Sequence, residues 1–297
     1  MGRFKTLSRG IVFYNGYPIL ILGASGMLGY DLVKVFKKDH TYNYKYIKDF
    51  DITEKDACIK SIISLKPKIV INATAFTNVD LCEKEKKKAF DVNAYGVRNL
   101  VIVCKEIDAF LVSFSTDYVF DGCKKEPYKE DDSPSPLNQY GLSKLKGEKF
   151  IRDTLEKYLI IRTSWLYGEN GPNFVESILK QAKRKKVLNV VSDQKGSPTY
   201  TLHLSKAVKM LLNYNIRGIL HITNEGSCTW YNFALKILEF SGIKNVEVNP
   251  ITSKELKRPA IRPENSQLDN SLFYRSTGFK MPDWEEGVKE YLKNRGN

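Results

Sequence analysis

Short strand-like runs alternate with amphipathic, helix-length segments along the first half of the chain. The predicted strands are 18–22, 44–47, 68–72, 110–115 and 159–163, and the helices between them are 30–38, 53–65, 84–106 (one helix or two) and 143–155. Strands separated by helices of this length predict a parallel, doubly wound α/β sheet. Sheets of this kind bind ligands beyond the carboxyl ends of their strands.

The pattern changes after Trp165. The predicted helices there are 173–186, 201–213 and 229–241, and the predicted strand is 218–222. Thr229 is a suitable N-cap for the last helix, and the strand is expected to return to the sheet. We therefore predict a poorly ordered N-terminal extension, a sheet domain and a smaller C-terminal lobe over the strand ends. The extension is 1–17, the sheet domain is 18–165 with 201–223, and the lobe is 166–200 with 224–297.

The composition is that of a globular protein with a basic surface. Of 297 residues, 47 are Lys or Arg and 34 are Asp or Glu, which gives a formal net charge of +13. Basic runs at 84–88 and 183–186 lack interleaved aromatic residues and match no RNA-binding pattern, so we interpret them as solvated helix faces. No apolar run approaches the ~20 residues of a membrane span. We expect neither a nucleic-acid partner nor a membrane segment.

Cysteine and histidine usage argues against disulfides and tightly bound metals. The five cysteines are an odd number, and no pair has CxxC spacing, so we expect neither a disulfide framework nor a zinc site. We expect them to be apolar fillers in a reducing cytoplasm. The three histidines form no HExxH motif, and we assign no metal site.

A glycine-rich loop joins the first predicted strand to the first helix. In such a loop Gly23 allows a tight turn, Gly26 lets a pyrophosphate approach the backbone, and Gly29 lets the helix pack closely on the sheet. Phosphates then lie at the helix N-terminus, where free N–H groups and the helix dipole favour anions. This arrangement predicts a Rossmann-type dinucleotide site. Asp51, shortly after the second strand, is placed to bind the adenine ribose, whereas Lys48 would neutralise a 2′-phosphate, so NADH and NADPH both remain open.

Tyr140 and Lys144 form a YxxxK motif where the next helix begins. Four residues are about one helical turn, so the hydroxyl and the ammonium share a helix face. A free tyrosine has a pKa near ~10, and we expect the neighbouring cation to lower it toward the range useful for proton transfer. Ser115 and Thr116 end the preceding strand, where a hydroxyl can bond a substrate oxygen. Thr116, Tyr140 and Lys144 therefore form a candidate catalytic set.

Further motifs follow one another through the chain. They are NATA (72–75), TNVDLCE (77–83), DVNAYG (91–96), STDYVFDG (115–122), SPLNQYGLSKLKGE (135–148), RTSWLYG (162–168), SDQKGSPTY (192–200) and RPENSQLDN (262–270). With the glycine loop, these motifs resemble the extended short-chain dehydrogenase/reductases, and within them the dTDP-4-dehydrorhamnose reductases. The resemblance covers nearly the whole chain beyond the N-terminal extension. It implies a Rossmann sheet with a smaller, sugar-nucleotide-binding C-terminal lobe.

The resemblance also implies roles for individual residues. Thr116, Tyr140 and Lys144 match the family's catalytic residues. The implied cofactor contacts are Gly23, Ser25, Gly26, Met27, Leu28, Asp51, Ile52, Ala73, Thr74, Ala75 and Asn93, with Tyr140 and Lys144. The implied sugar-nucleotide contacts are Thr77, Val79, Asp117, Tyr118 and Trp165, and in the lobe Asn173, Gln194, Thr199 and Arg262, whose guanidinium suits a diphosphate. Trp165 has an equally good interpretation as a core residue at the domain boundary, and Arg262 as a surface residue.

The implied reaction is reduction of the C4 ketone of a dTDP-4-keto-6-deoxy-L-hexose to dTDP-L-rhamnose. The implied reductant is NADPH, with NADH as the alternative, and Tyr140 is the implied proton donor. Dehydratases of the family carry an Asp-Glu pair where this chain has Asp117-Tyr118, which favours simple reduction over elimination. The alternatives are a non-catalytic regulatory subunit resembling the β subunit of methionine adenosyltransferase, or another sugar-nucleotide reductase or epimerase. A UDP-linked substrate and a homodimer remain open.

Overall fold

A parallel sheet of six strands lies at the centre of the molecule. The computed structural model describes residues 18–39, 42–48 and 50–295, so the prediction for 1–17 lies outside the described residues. The strands are β1 (Ile19–Leu22), β2 (Tyr44–Ile47), β3 (Ile69–Asn72), β4 (Phe110–Thr116), β5 (Tyr158–Thr163), β6 (Leu166–Tyr167), β7 (Val187–Val191), β8 (Lys195–Gly196), β9 (Thr199–Tyr200), β10 (Gly218–His221), β11 (Cys228–Thr229) and β12 (Glu247–Ile251). The central order is β10-β5-β4-β3-β1-β2, and all neighbours are parallel. The predicted doubly wound α/β class is confirmed.

Helices connect the strands and cover the sheet. They are α1 (Met27–Lys37), α2 (Lys55–Leu65), α3 (Val79–Lys84), α4 (Lys86–Phe90), α5 (Val97–Glu106), α6 (Gln139–Thr154), α7 (Phe174–Ala182), α8 (Thr201–Leu211), α9 (Trp230–Phe240), α10 (Ser253–Leu256), α11 (Ser271–Thr277) and α12 (Trp284–Asn294). A π-helical turn, Asp91–Gly96, joins α4 to α5, and a 3-10 turn, Asp117–Val119, follows β4. Thr229 caps α9 as predicted, because its hydroxyl accepts the Asn232 N–H at 3.1 Å.

Three predicted helices differ most from the structure at their boundaries. The segment at 84–106 is divided among the end of α3, α4, the π turn and α5. α7 ends at Ala182 rather than at 186. The helix predicted from 143 begins earlier because Asn138 caps it, its Oδ1 accepting the Gly141 N–H at 2.9 Å. This earlier start places all of the YxxxK motif within α6.

Apolar side chains pack on both faces of the sheet. Every residue of β1 is buried, and successive side chains along a strand point to opposite faces. Ile19 and Ile21 join the core that contains α1 and α8 residues, whereas Leu20 and Leu22 join the core that contains α2 and α5 residues. Parallel strands covered on both faces are expected to be apolar throughout. The two cores fix the strand ends, and hence the loops that follow them.

The C-terminal part builds a further apolar core that the sequence pattern did not predict. β7 and β12 form a separate two-stranded parallel sheet, and residues of α7, α9 and α12 pack beside it. Phe233 is fully buried there, and its ring meets those of Tyr167, Phe174 and Trp284. The two strands are far apart in sequence, so neither indicates its partner locally. The domain boundaries stay a prediction.

Candidate active site

The glycine loop turns from β1 directly into α1. Gly23 has a φ of +80°, and a Cβ there would lie 2.9 Å from the Ala73 carbonyl carbon and the Thr74 nitrogen. A Cβ on Gly29 would lie 2.0 Å from the Gly23 carbonyl oxygen. Both positions therefore require glycine. Within the described residues, the N-terminus of α1 has no side-chain cap and no acidic residue in its first turn, so its backbone N–H groups are suited to an anion.

A segment of the C-terminal part covers this loop. Asn170 donates to the Ser25 carbonyl at 2.7 Å. Met27 is half-buried, and a Cβ on Gly168 would lie 3.0 Å from its Cγ. Leu28, by contrast, packs into the core on one face of the sheet. Of these predicted cofactor residues, Ser25 and Met27 therefore lie at the junction of the two parts, while Leu28 has a packing role.

The end of β2 lies beside the same loop. The Ser25 hydroxyl donates to the Lys48 carbonyl at 3.0 Å. Asp51 is exposed, and its Oδ1 accepts the backbone N–H of Thr53 at 2.8 Å. Lys48 is also exposed. The two residues that sequence reasoning placed near the adenosine, Lys48 and Asp51, are thus both exposed, and Lys48 lies beside the glycine loop.

Asn93 lies in the π-helical turn and joins three segments of the site. Its Oδ1 accepts the Phe76 N–H at 2.9 Å, and its Nδ2 lies 3.0 Å from the Phe76 carbonyl and 3.0 Å from the Ser143 hydroxyl. These bonds tie Phe76, which directly follows the predicted cofactor segment 73–75, to helix α6. Ile52 is buried against the π turn. π-helical turns inside longer helices are frequent at functional sites.

Thr116, Asp117 and Tyr118 lie at the carboxyl end of β4. The Thr116 hydroxyl donates to Asp117 Oδ1 at 3.0 Å and accepts the Tyr118 N–H at 3.1 Å. Asp117 is buried, and burial raises its pKa to about 7. The ring of Tyr118 meets that of Tyr140 edge-on, with the ring centroids 6.1 Å apart. The strand end thus adjoins the start of α6.

Helix α6 carries the candidate proton donor and the lysine one turn later. A Cβ on Gly141 would lie 2.1 Å from the Tyr118 carbonyl oxygen, so glycine is what lets the helix start so close to the strand end. Tyr140 is half-buried, whereas Lys144 is only 6% exposed. The geometry therefore brings Thr116 and Tyr140 together, and Lys144 follows one turn further along α6.

Burial shifts the pKa values of both ionisable groups on this helix. It raises the pKa of Tyr140 above its ordinary value, and a hydrogen bond with Thr116 acts in the opposite direction. It lowers the pKa of Lys144 to about 8, and the Glu148 carboxylate opposes this shift. The expected net lowering of the Tyr140 pKa is wrong, because desolvation of the tyrosinate is the largest effect on this group and raises the pKa. Tyr140 is consequently a protonated hydroxyl.

Arg262 lies against helix α3 in an ion pair. Its two terminal nitrogens donate to the two carboxylate oxygens of Asp80, each at 3.0 Å. Arg258 lies 3.5 Å from the same carboxylate. Thr77, which is exposed, and Val79, which is half-buried, lie at the start of this helix. The structure thus gives the guanidinium a protein partner, and its contact with a diphosphate stays a prediction.

Trp165 lies between the sheet and the C-terminal core. Its φ is +47°, a strained value for a bulky residue. Its indole stacks on that of Trp230, with ring centroids 3.5 Å apart and planes inclined by 6°. A Cβ on Gly196 would lie 2.5 Å from the Trp165 ring. These contacts support the packing interpretation of Trp165, and both the domain boundary and a sugar contact stay predictions.

Three other predicted lobe residues have structural partners. Asn173 caps α7. Gln194 is buried and donates to the Ser253 hydroxyl at 2.6 Å. Thr199 is buried and donates to the Ser197 carbonyl at 3.2 Å. Each bond explains the residue type by itself, so the proposed nucleotide contacts of these residues remain predictions.

Known proteins match this chain over nearly its whole length. The sequence model of the family described as RmlD substrate binding domain matches residues 17–296. A dTDP-4-dehydrorhamnose reductase of Aggregatibacter actinomycetemcomitans is 38% identical over 284 residues, which cover 91% of this chain and 97% of the relative. The chain belongs to the dTDP-4-dehydrorhamnose reductase family.

Two further comparisons agree with membership of the reductase family. The spore coat polysaccharide biosynthesis protein SpsK of Bacillus subtilis is 41% identical over 283 residues, covering 94% of this chain and 98% of the relative. A crystal structure of dTDP-4-dehydrorhamnose reductase from Bacillus anthracis in complex with NADP superimposes with a TM-score of 0.88 at 37% identity. It covers 93% of this chain and 99% of that chain. The predicted Rossmann-type architecture is confirmed.

Sequence reasoning missed several supporting residues of this reductase-family site. Asn138 offers a local signal, since asparagine is a preferred N-cap, and it would have moved the start of α6 to its observed position. Gly141 follows Tyr140 directly, but its need for glycine depends on the distant Tyr118 carbonyl. Trp230 carries no local signal at all, because its partner Trp165 lies on a different element.

The structure of this reductase-family chain also bears on the state of its cysteines, on metal binding and on membrane spans. The five cysteines are free thiols, and all but Cys123 are buried. In the ranges that the structure describes, no group of three or more His, Cys, Asp or Glu side chains is arranged to hold a metal ion. No helix among the described residues is long and apolar enough to cross a membrane.

Proposed function

We propose that this chain reduces the C4 ketone of a dTDP-4-keto-6-deoxy-L-hexose with NADPH, giving dTDP-L-rhamnose, and that Tyr140 donates the proton. The observation that carries the proposal is the meeting of Thr116 and Tyr140 where β4 ends and α6 begins, with Lys144 one helical turn beyond Tyr140. Relatives in Aggregatibacter actinomycetemcomitans and Bacillus anthracis bear the name dTDP-4-dehydrorhamnose reductase, which supports the choice of substrate.

The glycine loop fits a dinucleotide. A Cβ on Gly26 would have its nearest contact at 3.4 Å, from the Gly23 carbonyl oxygen. Packing alone therefore tolerates a side chain at Gly26, and a glycine there is explained by close approach of a ligand to the backbone. We propose that the pyrophosphate of NADPH lies at this position, with Asp51 beside the adenine ribose and Lys48 beside the 2′-phosphate. NADH remains possible as a second reductant.

The catalytic residues act on the ketone oxygen. Bound NADPH supplies the hydride that reaches C4. As negative charge develops on the oxygen, Tyr140 delivers its proton, and the Thr116 hydroxyl turns from Asp117 to donate a hydrogen bond. The Lys144 ammonium, one turn along the helix, stabilises the tyrosinate that remains. Burial raises the pKa of Tyr140, so the hydroxyl carries the proton that it is proposed to donate.

The side chains near Tyr140 favour reduction over elimination of water. Elimination by related dehydratases uses an Asp-Glu pair, and the second position here is Tyr118. Burial raises the pKa of Tyr118 above its ordinary value, so it cannot replace a carboxylate base. We propose that Trp165 packs on the apolar face of the 6-deoxysugar, since its half-exposed ring is held rigid from behind by Trp230.

We propose a reducing, cytoplasmic location. Burial raises the pKa of the Cys58 and Cys82 thiols to about 11, which suits inert, apolar filler residues. The formal charge of +13 favours an anionic substrate such as a nucleotide sugar. A homodimer and the absence of a nucleic-acid partner remain predictions.

The test is reduction of the dTDP-linked ketosugar by purified protein with NADPH, followed by absorbance of the reduced nicotinamide. The configuration of the product at C4 is read by NMR, and the UDP-linked ketosugar is run in parallel. Tyr140→Phe should lower kcat by about 10²–10⁴-fold, because it removes the acid but keeps the ring. Its Kd for NADPH should stay close to that of the unchanged protein.

Two results would contradict the proposal. Turnover that persists in Tyr140→Phe would show that another group supplies the proton. Tight NADPH binding without turnover of either ketosugar would support the regulatory-subunit alternative instead.

A further inference from the structure

A buried ion pair lies directly behind Lys144. Glu148 follows Lys144 by one turn of α6, and Arg162 is provided by β5. The guanidinium holds the carboxylate with two bonds, Nε to Oε1 at 2.9 Å and Nη2 to Oε2 at 2.7 Å. The two side chains are 2% and 1% exposed. Glu148 is therefore a carboxylate between two cations, one fixed by the sheet and one belonging to the candidate catalytic set.

The guanidinium of Arg162 is held from its other side. It lies 5.1 Å from the centre of the Phe120 ring, and its Nη1 lies 3.5 Å from His221 Nε2. Burial and the neighbouring Arg162 lower the pKa of His221 to about 3, so this imidazole is neutral. Its Nδ1 lies 2.9 Å from the Tyr128 carbonyl. These contacts fix the position of the Arg162 guanidinium, and its two bonds to Glu148 fix the position of the carboxylate.

Lys144 and Glu148 line the same small internal cavity. Its volume is ≈ 10 Å³, and Asn93, Ser113 and Ser115 contribute to its wall. A space this small leaves little room for solvent to screen the attraction between the ammonium and the carboxylate. Within this cavity, the Glu148 carboxylate acts on the Lys144 ammonium through the field of its charge and raises the pKa of the lysine.

We propose that Glu148, clamped by Arg162, is a positioning residue for Lys144: it fixes the ammonium behind Tyr140 and keeps it protonated during turnover. The inference rests on the proposed function of Lys144. Stability alone does not account for the pair, since buried ion pairs can often be replaced by apolar side chains without loss of stability. A site that needs a charged lysine in a dry environment does account for it.

The ionisable groups of all neighbouring elements bear on this role. Besides Glu148, α6 contributes Tyr140, the turn after β4 contributes Asp117, and β5 contributes Arg162. His221 and the Glu130 carboxylate, which accepts the backbone N–H of His221 at 2.9 Å, lie beyond the guanidinium. Among these groups, Glu148 is the one that raises the pKa of Lys144 against the effect of burial.

The test is the pH profile of kcat for Glu148→Gln, with Glu148→Asp and Ile151→Val as matched variants. Without the carboxylate the pKa of Lys144 should fall below about 8, so the alkaline limb of the profile should move down by about one pH unit or more. Glu148→Asp keeps the charge and should keep the limb. Ile151→Val loosens the wall of the same cavity without changing a charge, and should lower Tm without moving the limb.

Two further measurements keep the outcome decisive. If Glu148→Gln does not fold because Arg162 is left unpaired, the double variant Glu148→Gln with Arg162→Gln should fold and still show a lowered limb. If the unchanged protein turns over no ketosugar, the proposed function fails, and the pH dependence of the NADPH Kd tests the pair instead. A folded Glu148→Gln protein whose limb coincides with that of Ile151→Val would overturn the inference.

Discussion

The glycine loop after β1 and the junction of β4 with α6 serve one proposed reaction by opposite means. In the loop the decisive feature is the lack of side chains, since Gly23 and Gly29 have no space for a Cβ. At the junction the decisive features are buried ionisable side chains. Burial raises the pKa of Asp117 to about 7 and lowers the pKa of Lys144 to about 8. Phosphates are recognised by backbone N–H groups, whereas proton transfer needs ionisable groups in a controlled environment.

The largest expected effect comes from a substitution in the glycine loop. Gly29→Val places a Cβ 2.0 Å from the Gly23 carbonyl oxygen, so we expect a loss of more than about 4 kcal/mol in the free energy of unfolding and no NADPH binding. Gly26→Ala is the matched variant, because its φ of −79° and open surroundings accept a methyl group. It should keep its stability within about 0.5 kcal/mol, yet raise the NADPH Kd about tenfold or more.

Urea unfolding and NADPH titration of both variants check this separation of packing from binding. If Gly26→Ala bound NADPH as tightly as the unchanged protein, the phosphates would not approach the backbone at this glycine.

The next effect tests the junction. Gly141→Ala puts a Cβ 2.1 Å from the Tyr118 carbonyl oxygen, and the start of α6 must shift with Tyr140. A displacement of about 1 Å can cost on the order of 10²-fold in rate, so we expect kcat to fall by about 10–100-fold. Gly242→Ala is the control, since its φ of +69° makes it strained in open space away from the site. It should lose about 1 kcal/mol of stability with kcat unchanged.

The smallest effect concerns the buried carboxyl of the junction. The pKa of Asp117 is raised in the folded state to about 7 from an ordinary 3.8, so the folded protein holds a proton that the unfolded chain releases. Stability due to this group is therefore present at low pH and is lost as pH rises toward about 7. Between pH 5 and pH 8 we expect the unchanged protein to lose about 2.5 kcal/mol through Asp117, and Asp117→Asn to lose correspondingly less.

Urea unfolding at both pH values measures this difference. Asp31→Asn is the comparison variant, because Asp31 is a second buried carboxyl, on α1, whose pKa burial raises to about 6. It should retain the share of the pH dependence that Asp117 contributes. An Asp117→Asn protein with the full pH dependence would show that Asp117 is ionised in the folded state.

Sequence reasoning predicted the region of the glycine loop correctly, but it was less accurate for the junction of β4 with α6. β2 was predicted at its exact bounds and the glycine loop in its place, because alternation and glycine spacing are local signals. The pKa of Tyr140 was predicted in the wrong direction, since sequence shows the cation four residues away but not the burial around the hydroxyl. The pairing of β7 with β12 was missed because their partners are distant along the chain.

The sequence by itself determined the alternation of strands and helices, the glycine loop, the YxxxK motif and the family resemblance. These features depend on the period of apolar residues and on residue type at short spacing. Only the tertiary structure decided that Arg162 grips Glu148 behind Lys144, that Arg262 faces Asp80, and that Gly141 must lack a side chain. The physical reason is that burial, charge pairing and close backbone approach arise between elements far apart in the chain, where packing rather than local pattern sets the neighbours.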